Sequence, residues 1–107
     1  MSDDTPTSAL PVLVTAPMDR AFHYHDPQAS AAPRGTIVAV PFGRRVLPGI
    51  VWPDAAPPPA GVRLKSIAHH FDAPPLPDAV CALVAAVAER TLSPLGAVLK
   101  LVLNVPA

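Results

Sequence analysis

The stretch from residue 35 to residue 51 constrains the fold most. Gly35-Thr36-Ile37-Val38-Ala39-Val40-Pro41-Phe42-Gly43-Arg44-Arg45 runs on through Pro48-Gly49-Ile50-Val51. Ile37, Val38, Val40 and Phe42 are the β-branched and aromatic types that suit a half-buried sheet. Gly43 falls where the chain has to turn, and a residue without a Cβ lets backbone approach a ligand closely. The expected structure is a strand, a glycine turn and a return strand. Arg44 and Arg45 then place two permanent positive charges beside bare backbone. A small β-fold with a basic turn and no visible catalytic group points to anion or nucleic-acid binding.

The rest of the chain extends this pattern. Residues 10–15 read as a strand, with Pro11 placing it at an edge or near a strand start. Residues 21–25 alternate, with Phe22 and Tyr24 on one face and His23 and His25 on the other. Residues 26–34 read as a polar connection, 36–42 as the central strand and 46–52 as its partner, with a bulge or barrel bend at Pro48-Gly49. Residues 53–61 read as a loop. Residues 63–70 form a fifth expected strand anchored by Leu64 and Ile67. Helical spacing then takes over. Asp78 suits a helix first turn, and Val80, Leu83, Val84 and Val87 form one apolar stripe. Ser93 and Pro94 are expected as N-cap and first residue of a second helix, whose stripe is Leu95, Val98, Leu99 and Val102. The fold class is therefore mostly β with C-terminal helices: a small barrel-like unit of about five short strands followed by two helices. Residues 1–9 read as a disordered tail and 10–107 as one domain. Val105-Pro106-Ala107 reads as the start of a linker, which favours a fragment of a longer protein.

Charge and composition narrow the functions. The formal net charge is zero. From Arg20 to Lys65, however, six bases (Arg20, Arg34, Arg44, Arg45, Arg63, Lys65) stand against two acids (Asp26, Asp54). This local excess is read either as a footprint for a polyanion or as an arginine-rich solvated surface. The single cysteine, Cys81, excludes an internal disulfide and a cysteine-built zinc site, and reads as an inert core residue. The acidic Met1-Ser2-Asp3-Asp4 start is unlike a secretory signal, and no apolar run approaches the roughly 20 residues of a bilayer span. The expectation is a cytoplasmic protein without a membrane partner. The sixteen prolines cluster in loop segments, where they stiffen the chain, and carry no assigned function.

The chain has no nucleotide phosphate loop, no GxGxxG and no HExxH. His23, His25, His69 and His70 lack a carboxylate placed to complete a metal site, so no metal is assigned. Asp19 and Asp26 are too isolated for a general acid–base pair. No enzyme activity is expected of these residues.

Residues 13–24 (Leu-Val-Thr-Ala-Pro-Met-Asp-Arg-Ala-Phe-His-Tyr), the Val-Pro-Phe-Gly centre of residues 35–51, Leu64-Lys65-Ser66-Ile67 and the Ser-Pro-Leu-Gly step at 93–96 are together similar to the N-terminal domain of the bacterial primosomal replication-restart helicases. The resemblance covers roughly residues 10–107. It implies an OB-like β-fold that holds the 3′ end of the nascent leading strand at a stalled fork, a pocket formed by Phe22, His23, Gly43 and Lys65, and backbone contacts from Arg44 and Arg45. Phe22 would offer a stacking face, Gly43 bare backbone to a base edge, and Lys65 a charge for a phosphate. Each also has a plainer reading: a core aromatic, a turn glycine, a solvated lysine. His23 stands where the family has an aspartate that accepts a hydrogen bond from the terminal hydroxyl. Neutral imidazole accepts through one nitrogen only, and protonated imidazole not at all. The implied partners are DNA forks and single-stranded 3′ ends, the remaining helicase domains and other primosome proteins. ATP, Mg and Zn would belong to the helicase portion; no cofactor is expected in these residues. Two other readings compete: a protein–protein module built on Arg44, Arg45 and Trp52, and a small enzyme or ligand-binding barrel, which requires a deep pocket with convergent polar groups that the sequence does not supply.

Overall fold

The central hairpin forms as its sequence requires. In a computed structural model, which describes residues 9–26, 33–52 and 64–103, β3 (Ile37–Phe42) and β4 (Arg45–Val51) pair antiparallel from Phe42↔Arg45 to Ile37↔Ile50. The register is unbroken, so Pro48-Gly49 makes no bulge against β3. The loop is Gly43-Arg44 alone, and Arg45 already belongs to β4. Gly43 has φ +63° and Arg44 has no positive φ, the type II′ pattern with glycine first that matches strand twist. A Cβ built on Gly43 meets nothing within 4 Å. The glycine is thus required by its dihedral, not by crowding. Gly43→Ala is expected to cost about 1–2 kcal/mol of backbone strain without a clash, read as a lower urea midpoint with an unchanged slope.

β1 (Ala9–Val14) pairs with both β2 (Phe22–His25) and β4, giving the antiparallel order β2-β1-β4-β3-β5. β1 is therefore an interior strand; Pro11 lies near its start, opposite His23 of β2, and its carbonyl accepts the N–H of Trp52, just beyond β4, at 2.9 Å. The sheet has two apolar faces, as a strand buried on both sides demands. On one face Val12, Val14, Tyr24, Val38, Val40 and Ile67 form a core with half-buried Phe22 and Phe42 against it. On the other Leu13, Ile50 and Trp52 meet Cys81, Val84, Ala88, Val98 and Leu99 of the two helices.

The sheet is not closed. The expected fifth strand contracts to β5 (His69–His70), paired with β3; Arg63 lies outside the described residues. The physical reason is that the segment changes partners. His25 N–H donates to Lys65 O and Ile67 N–H to His25 O, both at 2.9 Å, whereas Ala68 N–H donates to Ala39 O at 2.8 Å. One short segment thus bridges the β2 edge and the β3 edge, and no continuous ladder survives the crossing. Asp26, 1% exposed, adds a tie between the same two edges: its Oδ1 lies 3.3 Å from His70 Nε2, within ion-pair range but not aligned as a hydrogen bond. This pairing of Asp26 has no trace in local sequence. The expected tail, most of the 26–34 connection, the proline-rich loop after Trp52 and the closing residues lie outside the described residues.

α1 (Asp78–Thr91) turns a different stripe inward than the spacing of bulky residues suggests. Cys81, Val84 and Ala88 are buried, with Ala85 packed beside them, while Leu83 is 58% and Val87 37% exposed. Only Val84 is common to both. Small side chains at i, i+3, i+4 and i+7 bring α1 close to the sheet, so close packing wins over side-chain size. Burial, and then the Asp78 carboxylate, push the Cys81 thiol up, which fits an inert residue. α1 ends on left-handed Leu92 (φ 55°), with the Leu92 and Ser93 N–H groups both donating to Ala88 O.

α2 (Leu95–Val102) buries Gly96, Val98 and Leu99, whereas Val102 is 43% exposed. Its N-cap is Pro94, in extended conformation and without a side-chain cap; Ser93 Oγ instead lies 2.9 Å from Thr91 Oγ1. The cap comes from far away in sequence: Asp19 Oδ1 accepts the Leu95 N–H at 3.1 Å, and Met18 O accepts the Gly96 N–H at 2.8 Å. A carboxylate at a helix N-terminus is also favourable to the helix dipole. α2 thereby fixes the loop that leads from β1 into Phe22.

Candidate nucleic-acid interface

β2 begins where that loop ends, and its first residue is Phe22. The ring packs half-buried against the core of Val12, Tyr24, Val38 and Val40. It meets Phe42 edge-on, with centroids 5.8 Å apart and planes at 61°. Phe42 immediately precedes Gly43, so Phe22 lies at the base of the hairpin that carries Gly43, Arg44 and Arg45. The Arg20 guanidinium stands over the Phe22 ring, 4.9 Å from its centroid. Arg20 and Phe22 are two apart, the spacing that places side chains on one side of an extended chain. That spacing was the available signal for Arg20; the part played by Phe42 in framing Phe22 had none.

His23 and Lys65 are placed differently. His23 is half-buried on β2 opposite Pro11, and strand alternation turns it to the face away from Phe22. Lys65 is exposed, with its carbonyl bound to the N–H of His25. It therefore anchors beside the far end of β2, about 10 Å along the strand from Phe22. Phe22 pairs with Val12 at the Val51 end of the β1–β4 ladder, and the Phe22–Phe42 contact across the curled sheet face is what brings it beside the hairpin of Gly43 and the two arginines; Lys65 lies further along β2. Tyr24 braces this contact: its hydroxyl donates to Pro41 O at 2.9 Å, and burial pushes the phenol up, so it stays a donor.

The charge of the region is smaller than the sequence count but better exposed. Arg34 is neutralised by Asp78 at 2.8 Å, and Asp26 lies beside His70. Among the described residues, Arg20, Arg44, Arg45 and Lys65 are exposed and have no carboxylate partner. Trp52 does not join them. It is 9% exposed within the helix-side core, about 23 Å along β4 from Arg45, so the patch of Arg44, Arg45 and Trp52 does not form. Among the described residues, no group of three His, Cys, Asp or Glu side chains could hold a metal ion, and no helix is long and apolar enough to cross a membrane. An open groove of about 560 Å³ runs between α1 and α2 past Leu92 and Leu95; Asp19 on its wall is already committed to Leu95.

No curated protein matches the chain. The model of the PriA 3'DNA-binding domain (3'BD) family matches residues 11–104, a span that takes in β2, the hairpin, Lys65 and both helices. The chain belongs to the PriA 3'DNA-binding domain family.

Proposed function

We propose that this domain recognises the 3′ end of the nascent leading strand at stalled replication forks, as the N-terminal part of a replication-restart helicase acting in the cytoplasm. The observation that carries the reading is Phe22: an aromatic ring framed by Phe42 and Arg20 at the foot of a hairpin with uncompensated arginines. A terminal base stacks on Phe22, bare backbone at Gly43 lies open beside it, and Arg44, Arg45 and Lys65 meet the phosphates. A ring already half-buried loses little freedom on binding, so the stack retains most of its worth. The domain itself is not catalytic. ATP, Mg and Zn, the remaining helicase domains and other primosome proteins belong to the rest of such a helicase.

His23 sets the selectivity from the opposite face of β2, the terminal strand of the sheet order, around which the strand end reaches it. Its imidazole replaces a carboxylate as acceptor for the terminal hydroxyl, so discrimination between 3′-hydroxyl and 3′-phosphate ends weakens. Fluorescence anisotropy with a short labelled single strand tests both points. The domain is expected to bind the 3′-hydroxyl strand more tightly than the 3′-phosphate strand, and His23→Asp to widen that ratio. An unchanged ratio in His23→Asp removes His23 from the site. Equal, salt-sensitive binding to both ends leaves a generic DNA face, with log affinity falling by about 0.7 per phosphate contact for each unit of log salt. Leu83, Val87 and Leu101, exposed along the helices, favour a second reading as a protein-contact module; absence of binding to either strand would put it first.

A further inference from the structure

Arg20 has no carboxylate partner among the described residues, yet its exposed guanidinium is held in place, 4.9 Å over the Phe22 ring. The other surroundings of that ring are the core and Phe42. The solvent side of Phe22, the side a base would reach, is thus the side that Arg20 covers. An exposed cation–π contact contributes about two- to fivefold to an equilibrium. A base–aromatic stack contributes about five- to 150-fold. A base that stacks directly on Phe22 therefore has to displace the guanidinium.

From this we infer that Arg20 is a further DNA-binding residue that works by exchange. In the free domain it occupies the stacking face of Phe22. When a terminal base takes that face, Arg20 swings out and pairs with a phosphate of the same strand. The backbone around it makes this motion local. Asp19 is fixed by Leu95 and Met18 O by Gly96, so the Arg20 side chain moves while its anchor stays. The guanidinium keeps the ring covered in the free state and supplies a charge at the moment the strand arrives. This inference rests on the reading of the domain as a binder of DNA ends.

The test is ¹H–¹⁵N spectroscopy of the arginine side chains, with Phe22→Leu as reference. The Arg20 Nε–Hε signal is expected upfield of the other arginines in the free domain, and at the ordinary position in Phe22→Leu. A saturating short oligothymidine with a 3′-hydroxyl end removes the upfield shift; the same strand ending in an abasic nucleotide leaves it. Arg20→Ala binds the intact strand with a salt slope shallower by about 0.7, and Arg20→Lys restores the slope. An upfield shift that persists in the complex with the intact strand, or an unchanged slope in Arg20→Ala, overturns the exchange while leaving end binding standing. Failure of the wild-type domain to bind either strand overturns the exchange and the end-binding reading together.

Discussion

Replacing Gly96 with alanine is expected to destabilise the domain by about 3 kcal/mol or more, although alanine is the better helix former. In an open helix the exchange stabilises by about 0.8–1 kcal/mol. Here a Cβ on Gly96 would collide with the carbonyl oxygens of Ala16 and Val14. Those are backbone atoms of β1 and the loop after it, and they cannot rotate away as a flexible side chain can. Either α2 lifts from the sheet, opening the core around Leu13, Val98 and Leu99, or the loop shifts and Asp19 and Met18 release the helix N-terminus. Overpacking against backbone lies at the severe end of single substitutions. The buried Trp52, the only tryptophan of the chain, reports unfolding in urea directly. A midpoint at or above that of the wild type would mean that α2 does not abut the loop. The loss should also be larger than that of Gly43→Ala, since Gly43 faces open space. The ordering separates a glycine kept for proximity from one kept for its dihedral.

Gly96 also shows where the sequence is legible and where it stops. The hairpin is readable because both of its determinants are local: β-branched runs on either side of a glycine turn. The order of strands before helices follows from a change of hydrophobic period near Asp78. The face of α1 is misread because bulky Leu83 and Val87 outweigh Cys81, Ala85 and Ala88 in any pattern scored by hydrophobicity, while the packed structure selects the small residues. The fifth strand is misread because residues 63–70 look uniformly extended, and only pairing with two different edges divides them. Asp19 capping a helix 76 positions away and Asp26 reaching His70 are long-range choices with no local signal. The candidate site divides in the same way. Gly43, Arg44 and Arg45 come together because the hairpin is a short-range element, Phe22 joins them only through its long-range contact with Phe42, and Trp52 departs into the core because β4 carries it away from the turn.

Phe22→Leu is expected to lower affinity for a 3′-hydroxyl strand by about five- to 150-fold, while changing stability by less than about 1.5 kcal/mol. The two readings of this residue, core aromatic and stacking platform, predict different pairs of numbers. Phe22 is half-buried against Val12, Tyr24, Val38 and Val40, and leucine keeps most of that apolar contact. It removes the π face, and with it the surface on which a base and the Arg20 guanidinium compete. Phe22→Ala confounds the two, since truncation also leaves a void beside Phe42. Anisotropy and urea unfolding on the same Phe22→Leu protein separate them. Lost affinity at retained stability assigns the ring to the DNA end. Retained affinity makes Phe22 a core residue, and the binding surface then reduces to the charges of Arg44, Arg45 and Lys65. Charge alone gives binding that is steep in salt and indifferent to the chemistry of the 3′ terminus. An aromatic face is sequence-tolerant but demands an unpaired base, which a strand end supplies at the lowest cost in unstacking. On the proposed function, a preference for ends therefore originates at the ring, His23 separates hydroxyl from phosphate termini, and the arginines and lysine set how tightly, not where, the strand is held.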